Sequence, residues 1–231
     1  MIKVSDKVLK FLVDNCVNLD LDAIKAQEES VGKKDNSNVH NSKGQANWDS
    51  IYNNIVNKGE SFNITPLKIN RGGIWTAIGA YHEPTKELFL LFRLPNLKKI
   101  MKRPFRGHYA TLANVGNGNI KAKQQEWDLS MNVERERILE YEYLSEDLFQ
   151  KMGVVPKKII LCGFTPFEFR TFVYNKSQRL AWEENYSYLI DAQYTGLSGE
   201  QYEVNPPAKD SNNKNFKKKE PKKRIRGLKK I

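Results

Sequence analysis

The chain is poor in the residues that most enzymes and metalloproteins use. It has two cysteines, Cys16 and Cys162, and three histidines, His40, His82 and His108. The cysteines form neither a CxxC pair nor a framework. Each stands beside apolar neighbours, so both are expected as small buried hydrophobes. No second His or Cys lies at ligand spacing from His82 or His108, and HExxH, paired CxxC and EF-hand patterns are absent. Neither a metal nor a cofactor is therefore expected. No GxxxxGK[ST] or GxGxxG occurs, and Gly116-Asn117-Gly118-Asn119 reads as a turn. There is no GxSxG elbow, and no apolar stretch ends in the acid–x–Lys pattern of a restriction-type nuclease strand. No apolar run approaches the roughly 18 residues that span a bilayer, and the N-terminus lacks a secretory signal. A cytoplasmic protein without a membrane span is expected. Asn63-Ile64-Thr65, which fits the glycosylation pattern, is then only a turn.

Two polar groupings invite a catalytic reading and have simpler ones. His82 with Glu83 and Glu87 is read as a solvated hairpin end rather than an acid–base pair. Glu134, Glu136, Glu140, Glu142, Glu146 and Asp147 are interleaved by Arg135 and Arg137, which predicts a salt-laced exposed helix rather than a metal cluster.

What the chain does have is positive charge, unevenly placed. The net charge is +11, of which residues 205–231 carry +9, leaving the remainder close to neutral. Four parts are expected: an N-terminal helical segment (1–32), a polar linker or loop (33–46), a core domain (47–204) and a basic tail (205–231).

The apolar runs 88–92 and 159–164 predict core strands. Helical character is read at 5–12 and 19–29. Trp48, Ile51, Tyr52, Ile55 and Val56 recur at three- and four-residue spacing, which predicts an amphipathic helix ended by Lys58-Gly59. Residues 74–82 and 87–93 predict a hairpin across Glu83-Pro84-Thr85-Lys86. Its second strand has no polar alternation and should be covered on both faces. A helix is expected from Pro95 to Arg103, another over 108–115, and helix in two pieces over 131–152, with Ser145 capping the second and Gly153 closing it. Strands at 157–164, 169–174 and 179–186 and a short helix over 187–193 complete the reading. The predicted fold class is α+β: a mainly antiparallel sheet built from hairpins, packed with several short helices, and followed by a disordered tail.

Two stretches are candidate binding elements. Arg93, Lys98, Lys99, Lys102, Arg103 and Arg106 carry six positive charges with no acid among them. On a helix, Leu97, Ile100 and Met101 would face the core and the lysines would line the outside. His108 and Tyr109 follow directly and suit a base or a phosphate. In the tail, Lys217, Lys218, Lys219, Lys222, Lys223, Arg224 and Arg226 suit neutralisation of several phosphates. Ile225, Leu228 and Ile231 would equally suit an amphipathic helix on an acidic membrane or a partner groove.

Arg71-Gly72-Gly73-Ile74-Trp75, then Leu88-Phe89-Leu90-Leu91-Phe92-Arg93, then His108-Tyr109-Ala110-Thr111-Leu112 resemble a family of uncharacterised proteins of Gram-positive bacteria and their prophages. That family has an Arg-Gly-x-Trp strand, a Leu-Phe-rich strand ending in Arg, and a His-Tyr helix in this order. The resemblance spans about residues 48–115 and extends to 182–194. An extra Gly and Leu94 depart from it. The resemblance implies no activity. It directs attention to Arg71, Arg93, His108 and Tyr109, which would converge if hairpin and helix pack together. The expected function is non-enzymatic binding of DNA or RNA, or of a nucleoprotein complex, by a phage or mobile-element protein. Alternatives are a protein-binding inhibitor or regulator, such as an anti-defence factor acting on a host or phage protein, and a nucleotide- or nucleic-acid-processing enzyme with a site around His108.

Overall fold

A computed structural model of the 231-residue chain describes residues 2–17, 29, 43–70, 76–104, 107–123 and 131–191. The elements are α1 (Asp6–Val17), α2 (Lys43–Lys58), β1 (Ile64–Asn70), β2 (Thr76–His82), β3 (Glu87–Arg93), α3 (Leu94–Met101), α4 (Tyr109–Asn114), α5 (Met131–Met152), β4 (Lys158–Thr165), β5 (Glu168–Tyr174) and β6 (Leu180–Asn185). Among the described residues the strands form one six-stranded sheet in sequence order. Every pairing is antiparallel except that of β3 with β4. The class is the expected α+β. No helix among the described residues is long and apolar enough to cross a membrane.

The unalternating run 88–92 of β3 is buried throughout, as the sequence predicts. Side chains paired in register share a face of the sheet, and neighbours along a strand take opposite faces. Phe89, Leu91 and Arg93 therefore share one face with Ile160, Cys162 and Phe164. On it Trp48 of α2 meets Phe164 edge-on, with ring centroids 5.6 Å apart. Leu88, Leu90 and Phe92 share the other face with Ile159, Leu161 and Gly163. There Phe92 stacks on Tyr109 of α4 at 5.4 Å. Both faces are thus covered, and Cys16 and Cys162 are buried free thiols. Burial pushes both thiols well above their ordinary range, which leaves them inert.

Buried side-chain bonds fix α4 and the turn after it on the sheet. The Asn117 carboxamide donates to the carbonyls of Ile159 and Tyr174, at 2.9 and 2.8 Å, and accepts from the Ile159 N–H at 2.7 Å. Gln178, in the β5–β6 turn, donates to the Thr111 carbonyl and accepts from Asn114.

Several boundaries differ from the sequence reading. α1 runs on to Val17 because Val13, Cys16 and Val17 continue its buried stripe. α2 starts at Lys43, inside the stretch read as linker. Ile64 and Thr65, read as a turn, open β1. Asn63 alone is the turn residue, with φ 55°. β1 was hidden because Pro66 and Lys68 interrupt its apolar pattern, and both suit an edge strand. Residues 131–152 form one helix, not two pieces. Ser145 is 3% exposed inside it and caps nothing, since a serine there costs only a few tenths of a kcal/mol in propensity. The helix does end as expected: Gly153, at φ +70°, donates to the Gln150 carbonyl and Val154 to that of Phe149. The helix after Pro95 ends at Met101, so Lys102 and Arg103 lie in the following turn. The last helix is a 3₁₀ turn, Ser187–Leu189.

The polar hairpin end is not solvated as expected. Glu87 is 1% exposed and His82 is 7% exposed. Both Glu87 oxygens accept from the Lys3 N–H at 3.1 Å, and Lys158 Nζ stands 3.6 Å from Oε1. Thr85 Oγ1 donates to Oε2 at 3.2 Å and lies 2.8 Å from His82 Nδ1. Its single proton is then committed to the carboxylate, so Nδ1–H of His82 donates to Thr85. Glu87 opens a strand flanked on both sides, and the N-terminal segment covers it, which buries the hairpin end.

A Cβ on Gly163 would sit 2.6 Å from Leu94 Cδ1 and 3.2 Å from Leu97 Cδ2, both buried. Gly163→Ala should therefore lower unfolding free energy by about 1–3 kcal/mol in urea titration. Burial lowers the His82 pKa from its ordinary 6.5, against the raising influence of Glu87 and Glu83. The folded state then holds fewer protons than the unfolded state below pH 6.5. The contribution of His82 is complete above 6.5 and is lost as pH falls through the lower folded value. Thermal melts between pH 7.5 and 5 should decline more in the parent than in His82→Gln, and parallel declines would refute this.

Candidate functional site

A cleft of about 920 Å³ opens on the helical face that carries α3, α4 and α5. One bank is the C-terminal end of α3 and the turn after it, with Lys99, Ile100, Lys102 and Arg103. The opposite bank is α5, whose Leu144, Asp147, Leu148 and Lys151 recur at three- and four-residue spacing and so share one face. The start of α4 (His108, Tyr109, Leu112) and the end of β1 (Ile69, Asn70) complete the lining, with Gly107 between the banks. The Gly107 N–H donates to Tyr141 Oη, which ties this loop to α5.

α3 is positioned by its apolar side. Leu97 is 1% exposed, and Ile100 and Met101 pack against the core. The opposite side carries the cations. Lys98, Lys99, Lys102 and Arg103 are all exposed, and none has an acidic partner among the described residues. Some of the other described cations are paired with acids, while Lys7, Lys68 and Lys121, like the α3 group, are not. Lys10 pairs with Asp14 and Asp191, Lys176 with Glu142, and Arg170 with Glu168 and Glu183. Within the cleft, the acid Asp147 is paired with Lys151 at 2.6 Å. The lining therefore keeps a surplus of positive charge on the α3 bank.

Five residues expected from the sequence meet here: Lys99, Lys102, Arg103, His108 and Tyr109. Lys98 is exposed on the same helix but outside the lining. Arg93 does not join them, and the expected convergence of Arg93 with His108 and Tyr109 fails. Strand alternation turns Arg93 to the opposite face from Phe92. Its guanidinium lies 4.7 Å from the Phe164 ring centroid, beside Cys16, and burial lowers its pKa. It remains a cation at neutral pH. Arg71 and Arg106, the Arg-Gly-x-Trp stretch, and the tail residues Lys217, Lys218, Lys219, Lys222, Lys223, Arg224 and Arg226 lie outside the described residues.

His108 and Tyr109 have structural duties. His108 is the N-cap of α4: its Nδ1 accepts from the Ala110 N–H at 3.1 Å, and its carbonyl accepts from the Thr111 and Leu112 N–H groups. In neutral His108 the ring proton therefore sits on Nε2. Tyr109 is buried against Phe92, with the His108 ring 4.6 Å from its own. The apolar lining was not read from sequence. Leu144 and Leu148 carry no motif that marks them apart from the rest of α5, and Ile69 lies in β1, which the sequence pattern does not announce.

Residues 3–228 match a family of unknown function (DUF5986). The chain belongs to this family. No curated protein and no solved structure matches it. The matched stretch of DUF5986 takes in the cleft and all but the last three residues of the basic tail.

Because His108 caps α4 through Nδ1, His108→Ala should cost about 1 kcal/mol of stability, and His108→Asn should recover most of it. Equal losses in urea titrations of the two variants would contradict the capping role.

Proposed function

We propose that this DUF5986 member is a non-enzymatic nucleic-acid-binding protein of a phage or other mobile element. Its contacts are the cationic bank of the cleft and the basic tail. The observation that carries this reading is the group of exposed cations without acidic partners on α3 and its turn, Lys98, Lys99, Lys102 and Arg103. Like charges held this close repel one another, and a polyanion relieves that repulsion. Nucleic acid supplies closely spaced phosphates, and each neutralised phosphate releases counterions. The tail adds non-specific reach of the same sign. The commitment of His108 Nδ1 to a helix cap counts against a general base at that atom. The resemblance read from the sequence supports the mobile-element origin.

A second reading, a protein-binding regulator acting through the near-neutral body, is favoured by Leu139 and Tyr143. They lie one helical turn apart on α5 and are 65% and 74% exposed.

Fluorescence anisotropy of labelled DNA and RNA across a salt series separates the two. The triple variant Lys99→Glu, Lys102→Glu, Arg103→Glu should bind about tenfold more weakly or worse, and its log–log salt slope should fall by about two. Deleting residues 205–231 should lower the slope further. Unchanged affinity and slope in both variants, or no binding to any nucleic acid, would overturn the reading. Binding to a protein partner that Tyr143→Glu abolishes would then favour the regulator.

A further inference from the structure

The cationic bank accounts for affinity toward phosphate but not for the rest of the cleft. Phosphates gain nothing from apolar walls, yet Ile100, Leu112, Leu144 and Leu148 are all half-buried and line the same hollow. Half-exposed leucines and isoleucine in one concavity suit a ligand with an apolar face, and the cations beside them suit one that also carries negative charge. A volume of about 920 Å³ falls in the upper part of the range for small-ligand sites.

A nucleotide has this combination of properties, but only when its base is unpaired. In a duplex the base faces are hidden by stacking, and only edges and backbone are presented. An unpaired base exposes a broad apolar face beside its own phosphate. Asn70 supports a base rather than an acyl chain. It is exposed at the end of β1, and its carboxamide has no hydrogen-bonding partner among the described residues. A carboxamide offers a donor and an acceptor side by side, which matches a base edge. Among the described residues the one acid in the lining, Asp147, is held by Lys151 and so opposes an incoming phosphate only weakly.

We infer that the cleft receives an unpaired nucleotide of a single-stranded segment. The base lies on the Leu112–Leu144–Leu148 wall, its edge faces Asn70, and the adjoining phosphate faces Lys99, Lys102 and Arg103. This inference rests on the nucleic-acid reading above and specifies the form of nucleic acid that the site takes.

The test uses the full chain and three probes of equal length: a labelled single strand, the same sequence as a duplex, and a single strand whose bases are replaced by abasic sites. The single strand should bind about fivefold or more tighter than either of the others at equal salt. Leu148→Gln and Asn70→Ala replace partly or fully exposed side chains, and each should weaken single-strand binding by about three- to tenfold. Neither removes a cation, so the salt slope should stay the same, and duplex binding should be unaffected. If the abasic strand and the duplex bind as tightly as the intact strand and both variants are silent, the inference fails while nucleic-acid binding stands. If none of the three probes binds, the functional reading itself fails.

Discussion

The parallel pairing of β3 with β4 is the constraint on which the rest of the molecule depends. Antiparallel neighbours can be joined by a tight turn, as β2–β3 and β4–β5 are. Parallel neighbours need a crossover that returns the chain to the same end of the sheet. Here that crossover is residues 94–157, and it holds α3, α4 and α5. It therefore supplies both banks of the cleft. Gly163 on β4 lets Leu94 and Leu97 settle against the sheet, and Asn117 bonds the crossover to β4 and β5. The cations of α3 are held out over the hollow because its apolar side is pinned beneath them.

Some polar groups inside this fold are held by specific bonds, while Asn15 Nδ2, Asn47 Oδ1, Asn114 Oδ1 and Thr171 Oγ1 are buried without one. Glu87 is held by the Lys3 N–H, Thr85 and Lys158, and Asn117 satisfies backbone groups of two strands. The bonds to Glu87 and Asn117 offset the cost of burying them. The cations of α3 and the turn after it, Lys98, Lys99, Lys102 and Arg103, differ in kind. They are solvated, carry no countercharge among the described residues, and stand beside half-buried apolar side chains. Packing does not require them there, and this is why the functional proposal rests on them rather than on any buried residue.

Much of the fold was legible because burial leaves periodic traces. The run 88–92 announced a strand covered on both sides, and Glu83–Lys86 announced a hairpin. Leu97, Ile100 and Met101 announced the buried side of α3 and hence the cationic side. The misses have physical causes. β1 is an edge strand whose Pro66 and Lys68 blur its pattern. Ser145 is compatible with helix capping and with helix interior, and only tertiary contact decides. Arg93 and Phe92 adjoin in sequence, but strand alternation sends them to opposite faces. The cleft itself was half legible: its charged bank is contiguous in sequence, whereas its apolar wall combines α4, α5 and β1, a juxtaposition that no local pattern encodes.

The proposed seat of nucleic-acid contact is the cleft, with the tail as an auxiliary arm. Photo-crosslinking places contacts directly. A thiouridine-substituted single strand would be bound to the full chain and irradiated, and the adducts mapped by peptide mass spectrometry. The account predicts adducts on peptides bearing Lys99–Leu112 and Leu144–Lys151, besides those from the tail. Adducts confined to residues 205–231 would contradict it.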